Sequence, residues 1–216
     1  MPHNEQVTST RTYATPYGDG RLVVRQASRP VATMLLSHGA GGGIDARDLD
    51  MLARRLPPHG VNVMLWEQPW RLAGRKVAGA PATLDAGLRV AADRTRVRTP
   101  LIIGGRSAGA RSAARTAKSL GAAGVLALSF PLHPPGKPEK SRLDELLGAR
   151  LPTLVVQGER DPFGRPEEFP PTTDLVPVPF ADHGFAVPAR APISQDDALQ
   201  VILDGVVEWV ERRILV

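Results

Sequence analysis

A serine flanked by small residues stands near the middle of the chain, in the segment 105–109, Gly-Arg-Ser-Ala-Gly. The segment matches G-x-S-x-G, a pattern in which the serine sits on a sharp turn between a strand and a helix with its hydroxyl exposed. An apolar run precedes it at 100–105 and a helical pattern follows at 107–120, and the two glycines would let strand and helix approach closely. Ser107 is therefore a candidate nucleophile, and the alternative is a serine that only caps the helix.

A serine hydroxyl becomes a nucleophile when a base removes its proton and an acid orients that base. His183 is the expected base because it lies in a loop segment, 182–185, between the last strand pattern and the final helical pattern. Asp161 is the expected acid because it forms a turn-favouring pair with Pro162, and Glu159 is the alternative. The order serine, acid, histidine is the one in which G-x-S-x-G triads are arranged along the chain. The sequence thus predicts nucleophilic acyl chemistry.

Backbone N–H groups are expected to stabilise the oxyanion of such a reaction. The glycine-rich run 39–43 offers one donor, from Ala40 or Gly41, and Ala108 after the serine offers the other. A phosphate-binding loop is excluded at this run because Ile44 stands where G-x-G-x-x-G needs its third glycine. The nearby acidic residues indicate a helix N-terminus rather than a metal site, and we expect no metal and no cofactor.

Several side chains are candidates for contacts with a substrate. Trp66 and Trp70 could form an apolar wall, although tryptophan more often packs in a core. Cationic groups could attract an acidic substrate group, or could instead be solvated or paired with a neighbour such as Glu67. These cationic candidates, together with a histidine that could pack or contact substrate, are Arg75, Lys76, Arg106 and His133.

The elements that must position these residues alternate between apolar strand patterns and helical patterns, which is typical of a parallel sheet with crossover helices. Two short strand patterns joined by the turn 16–20 predict an N-terminal hairpin at 11–15 and 20–26. The later strands are predicted at 32–39, 61–67, 100–105, 124–130, 152–158 and, weakly, 172–180, and the helices at 49–56, 82–95, 107–120 and 194–215. Two proline-rich stretches, 68–81 and 130–140, predict loops. We expect a mostly parallel central sheet with helices on both faces, and a site at the carboxyl ends of its strands.

Composition and charge exclude several classes of protein. Hydrophobic residues make up 42% and charged residues 23%, which is typical of a folded domain. We expect one domain over 1–216, with a flexible tail at 1–10 and no separate lid domain. The net charge of +5 is scattered without interleaved aromatic residues, so nucleic-acid binding is not expected. No apolar stretch resembles a membrane span or a secretory signal, so we expect a cytoplasmic protein without membrane contact; nothing indicates a protein partner.

Five segments together resemble the small lidless α/β-hydrolases grouped with testis-expressed protein 30 and the third subunit of the NSL histone acetyltransferase complex. They are SHGAGGG (37–43), GGRSAGAR (104–111), FPLHPPGKPEKSRLDEL (130–146), VVQGERDPFG (155–164) and DHGF (182–185). The resemblance implies an α/β-hydrolase fold with Ser107, Asp161 and His183 as the triad, and it implies no particular substrate. Dienelactone hydrolases are similar more distantly; they use a cysteine nucleophile, whereas this chain has a serine and no cysteine.

Two functions remain open at this point. The first is a serine hydrolase, of carboxylesterase type, acting on a small acyl substrate in an open site, since no long insertion separates the strand at 124–130 from the acid. The second is a catalytically idle binding or scaffold protein that keeps the fold, because one relative is a subunit of a chromatin complex.

Overall fold

Eight strands form one sheet in the part of the chain that the computed structural model describes, residues 8–95 and 97–215. The strands are β1 (Thr8–Thr15), β2 (Gly18–Arg25), β3 (Ala32–Ser37), β4 (Val61–Glu67), β5 (Leu101–Arg106), β6 (Gly124–Leu128), β7 (Thr153–Gly158) and β8 (Asp174–Val178). Their order across the sheet is β1-β2-β4-β3-β5-β6-β7-β8. The six strands from β4 to β8 in this order are parallel, which confirms the predicted mostly parallel sheet.

The predicted N-terminal hairpin is present, and it forms one end of the sheet. β1 pairs with β2 along its whole length, and β2 pairs antiparallel with β4. Of the predicted flexible tail, residues 1–7 lie outside the described residues, whereas residues 8–10 belong to β1 and pair with residues 23–25. The hairpin turn therefore lies beside the carboxyl end of β4.

Helices cover both faces of the sheet, which the parallel strands require because both of their faces are apolar. The helices are α1 (Arg47–Arg55), α2 (Pro69–Leu72), α3 (Pro81–Arg94), α4 (Ala108–Thr116), α5 (Leu143–Leu147) and α6 (Gln195–Arg213). Buried residues of α1 and α6 pack on one face, and those of α3, α4 and α5 pack on the other. None of the helices in the described ranges combines the length and the hydropathy that a transmembrane helix requires.

The observed helices differ from the predicted ones in several places, and α5 was not predicted at all. The stretch 68–81, predicted as a loop, contains the short helix α2, which begins at Pro69; proline suits this first position because it lacks an N–H. The helix predicted over 107–120 ends at Thr116, and a 3₁₀ turn continues it over Ala117–Leu120. None of these differences in the helices moves the carboxyl ends of the strands, where the candidate site lies.

Candidate active site

Ser107 lies at the turn from β5 into α4, with a backbone conformation that non-glycine residues rarely adopt (φ 53°, ψ −112°). Such a conformation costs about 1–3 kcal/mol and is kept only where the surroundings enforce it. The end of β3 packs tightly against this turn: a β-carbon placed on Gly105 or on Gly109 would lie 2.3 Å from the carbonyl oxygen of Ser37. The two glycines of the motif are therefore required by the close approach of β3, and the serine side chain projects from the sheet edge.

The three residues predicted as a triad lie in hydrogen-bond contact. His183 Nε2 is 3.0 Å from the Ser107 hydroxyl oxygen, and His183 Nδ1 is 2.7 Å from Asp161 Oδ2. The ring of Phe163 packs against the imidazole, with centroids 4.3 Å apart. The carboxylate faces Nδ1, so that nitrogen carries the proton and Nε2 is free to accept the serine proton.

The carboxylate of Asp161 is buried and held on both of its oxygens. Oδ1 accepts the N–H of Phe163 at 2.8 Å, and Oδ2 accepts the side-chain amide of Gln157 at 2.9 Å. The alternative acid, Glu159, is exposed and instead accepts the N–H of Phe180 at 3.0 Å. Of the two candidates, Asp161 is therefore the one that contacts the histidine.

The glycine-rich run after β3 is anchored by the buried ring of His38. Its Nε2 accepts the backbone N–H of Gln68 at 3.0 Å, so its Nδ1 carries the proton and donates to the carbonyl of Gly39 at 2.8 Å. Burial lowers the pKa of His38 and keeps the ring neutral. A β-carbon placed on Gly39 would lie 3.2 Å from Cβ of Ser107, so the anchored peptide lies directly beside the serine.

The chain matches the family model of the alpha/beta hydrolase domain over residues 30–211. It belongs to this alpha/beta hydrolase family. Its fold is similar to that of a lidless a/b serine hydrolase from Xanthomonas campestris, with a TM-score of 0.69, 21% identity, and 97% of this chain and 98% of that chain covered. It is also similar to a dienelactone hydrolase from Anabaena variabilis (TM-score 0.73, 18% identity, 98% and 100% covered). A third similar structure is an esterase domain from Rhodothermus marinus (TM-score 0.67, 18% identity, 96% and 99% covered).

These likenesses support the α/β-hydrolase fold that the sequence motifs implied. The narrower resemblance to testis-expressed protein 30 stays a prediction.

Two of the predicted substrate contacts lie together beside the anchored loop of this α/β hydrolase. Trp70, in α2, meets His38 edge to face with ring centroids 5.2 Å apart. The same indole and the exposed Arg75 line a cavity of about 350 Å³, which the hairpin turn at Tyr17 helps to enclose. Lys76 is exposed but is not among the residues described as lining this cavity.

Two other predicted contacts are buried and do not line this cavity, which corrects the expectation from sequence. Trp66 is fully buried on the face of β4 that is covered by α3, and a β-carbon on Gly20 would lie 2.1 Å from its ring. His133 has both ring nitrogens engaged, Nδ1 with the carbonyl of Pro134 and Nε2 with Glu168. These contacts raise the pKa of His133, with the Pro134 carbonyl as the larger cause. Trp66 is a core residue, and His133 ties the loop after β6 to the turn at Glu168.

Arg106 also differs from the prediction that it attracts an acidic substrate group. Its Nη2 donates to the backbone carbonyl of His183 at 3.0 Å, and its Nε lies 3.7 Å from Oδ1 of the buried Asp48. The guanidinium is therefore engaged inside the protein, between the histidine loop and the start of α1.

Four residues of the site had no assigned role in the sequence analysis: His38, Asp48, Gln68 and Gln157. Asp48 was interpreted only as an acid at a helix N-terminus, and it does lie in the first turn of α1. For Gln68 the sequence carries no signal, because its partners His38 and Ser37 lie 30 and 31 positions away. Gln157 lies only four positions before its partner Asp161, and that spacing is the one signal that could have found it. His38 carried one usable signal, a histidine directly before the glycine-rich run.

Proposed function

We propose that this chain is a serine hydrolase that cleaves a carboxylic ester or a related acyl bond of a small substrate. The observation that carries the proposal is the unbroken line of contacts from Asp161 through His183 to Ser107, placed on a strained turn. A buried acid that orients a histidine toward a half-buried serine at the sheet edge is an arrangement suited to nucleophilic acyl transfer.

In the first half of the proposed reaction, Ser107 Oγ attacks the acyl carbon while its proton moves to His183 Nε2. The carbonyl oxygen becomes an oxyanion, and Asp161 stabilises the imidazolium through its 2.7 Å contact with Nδ1. The bond from the acyl carbon to the leaving oxygen then breaks, and the alcohol departs with the proton of His183. An acyl-serine ester remains.

In the second half, a water molecule replaces the alcohol. His183 takes one proton of the water as its oxygen attacks the acyl-serine, and returns that proton to Ser107 Oγ when the tetrahedral intermediate collapses. The products are the free carboxylic acid and the restored serine, so the cycle consumes one water and needs no further reactant.

We assign the oxyanion donors to Ala108 and Ala40. Ala108 is the first residue of α4, and the N–H groups of a helix's first turn have no partner within the helix. The choice between Ala40 and Gly41 rests on the Gly39–Ala40 peptide. Its carbonyl is turned toward the buried ring of His38, and in a planar trans peptide the N–H of Ala40 points the opposite way.

Trp70 and Arg75 are proposed as contacts for the part of the substrate away from the reacting bond. Their cavity lies over the end of β4, two strands from β5 in the sheet order, which is about 10 Å at the usual strand spacing. A substrate with an apolar portion and an acidic group would suit an indole beside an exposed guanidinium.

Labelling with a fluorophosphonate tests the proposal without knowledge of the natural substrate. We expect the wild-type chain to be labelled on Ser107 and to hydrolyse p-nitrophenyl acetate, and Ser107→Ala to lose both properties while its melting temperature stays unchanged. Ser129→Ala is a matched control, because Ser129 also has a positive φ (45°), but it is buried and its hydroxyl has no hydrogen-bond partner among the described residues. A wild-type chain that is neither labelled nor active would favour an idle scaffold, and labelling of Ser107→Ala would move the nucleophile elsewhere.

A further inference from the structure

Arg106 occupies the variable position directly before the serine, yet its side chain turns back into the protein. The guanidinium lies between two loops that carry parts of the site. A β-carbon placed on Gly184, in the histidine loop, would lie 3.4 Å from Nη2, and one placed on Gly42, in the glycine-rich run, would lie 3.8 Å from Nη1. Together with the hydrogen bond to the carbonyl of His183, this places one cation against both loops.

Asp48, the acid beneath this cation, is in an unfavourable environment. Its side chain is 0% exposed, and no side chain within the described residues donates a hydrogen bond to either of its oxygens. Burial raises the pKa of Asp48; the positive charge of Arg106 opposes that rise most, followed by the backbone N–H groups of Asp48 and Leu49. A buried carboxylate without a side-chain hydrogen bond is expensive, so a protein that keeps one has a use for it.

We infer that Arg106 and Asp48 form a positioning pair that holds the histidine loop and the glycine-rich run at the correct distance from Ser107. Asp48 fixes the guanidinium through its Nε, and Arg106 holds the backbone of His183 through its Nη2. Arg106 acts through His183 and is a positioning residue, since its Nη2 is bonded to the carbonyl of His183 and its Nε faces Asp48. This inference rests on the proposed hydrolase function.

The pair has a different signature from an ordinary structural ion pair. Asp48→Asn removes a desolvated charge that accepts no hydrogen bond from another side chain, so the melting temperature should stay equal or rise. The guanidinium would lose its anchor, and small misplacements of reacting groups cost up to about a hundredfold in rate. Stability and activity should therefore change in opposite directions, or activity should fall alone.

The test compares Arg106→Gln, Asp48→Asn and their double variant by steady-state kinetics with p-nitrophenyl acetate. We expect kcat to fall about ten- to a hundredfold in Arg106→Gln with KM changed less than twofold, and to fall less in Asp48→Asn. The double variant should be no slower than Arg106→Gln, because Asp48 acts only through Arg106. Arg115→Gln is the matched control: Arg115 is similarly half-buried, lies on α4 and pairs with Asp85 and Glu145. It should lower the melting temperature and leave kcat unchanged.

Hydrogen exchange of the backbone amides of residues 181–186 gives a readout that does not depend on activity. Exchange should accelerate in Arg106→Gln and Asp48→Asn and stay unchanged in Arg115→Gln. Unchanged exchange or unchanged kcat in both variants would overturn the inference, and a rise in KM alone would make Arg106 a substrate contact instead. If Arg106→Gln fails to fold, Asp48→Asn decides by the same criteria. A wild-type chain without labelling or turnover would overturn the proposed function, and the exchange measurement would still decide whether the pair holds the loop.

Discussion

Gln157 donates its side-chain amide to the same oxygen of Asp161 that faces His183, at 2.9 Å, so this oxygen accepts from two directions. The other oxygen accepts the N–H of Phe163 at 2.8 Å. Both ends of the side chain at position 161 must therefore be acceptors. A carboxylate meets that requirement in either orientation, and an amide cannot meet it in any.

Asp161→Asn should lower turnover about 10³- to 10⁴-fold, because an amide cannot stabilise the imidazolium and favours the wrong tautomer of His183. The fold should survive, but the free energy of unfolding should fall by about 1–3 kcal/mol, because the NH₂ group of the new asparagine faces another donor in either orientation. Kinetics and urea denaturation measure the two effects. Glu159→Gln is the control, because Glu159 only accepts the N–H of Phe180, and it should stay within a few fold of wild type. The reverse ranking would make Glu159 the acid.

Gly109→Ala should be poorly folded, because the added methyl group would lie 2.3 Å from the carbonyl oxygen of Ser37 and 2.8 Å from that of His38. Backbone atoms at the end of β3 cannot move aside as a flexible side chain can. We therefore expect the free energy of unfolding to fall by about 3 kcal/mol, or the variant to aggregate. Gly41→Ala is the control, since a β-carbon there meets nothing within 4 Å. Its unfolding midpoint in urea should match that of wild type, and equal midpoints for both variants would contradict the packing described here.

His38 should make the protein less stable in acid. Burial lowers the pKa of His38 below the value of about 6.5 in the unfolded chain. Its contribution to stability is therefore fully present above about pH 6.5 and is lost as the pH falls toward the folded-state value. His38→Asn should lose less melting temperature than wild type between pH 7.5 and pH 5.

His133 should have the opposite effect on the pH dependence of stability and make the protein more stable in acid. Its bonds to Pro134 and Glu168 raise its pKa, so its contribution is fully present below about pH 6.5 and is lost as the pH rises through the folded-state value. The penalty of His133→Asn should therefore be larger at pH 5 than at pH 8. If the stability penalties of His38→Asn and His133→Asn changed with pH in the same direction, the pKa of one of the two histidines would be shifted opposite to the direction given above.

Arg75→Glu should weaken the hydrolysis of an ester that carries a carboxylate far from the reacting bond. Two opposite charges in contact, about 4 Å apart in water, interact by roughly 1 kcal/mol, so a reversal amounts to about 2 kcal/mol, or about thirtyfold in kcat/KM. A neutral ester of the same shape should be unaffected. Lys76→Glu serves as the control. It changes the net charge by the same amount, and Lys76 is not among the residues described as lining the cavity. Equal losses for both variants would indicate only long-range attraction.

The sequence by itself determined the features that depend on local chemistry and on chain order. Gly105 and Gly109 around a serine, after an apolar run and before a helical pattern, predicted a strand-to-helix turn, and the structure has one there. Parallel strands end at one edge of a sheet, so the order of Ser107, Asp161 and His183 along the chain was enough to predict that they could meet.

Only the tertiary structure decided which way several side chains face. Trp66 and Trp70 stand four residues apart, yet the pleat of β4 buries the first beneath α3, whereas the second follows the strand and reaches the sheet edge. Arg106 is drawn to the carbonyl of His183, 77 positions along the chain, and His38 is fixed by the N–H of Gln68, 30 positions away. Such contacts arise from strand pairing and loop packing between distant segments, and no spacing within the sequence encodes them.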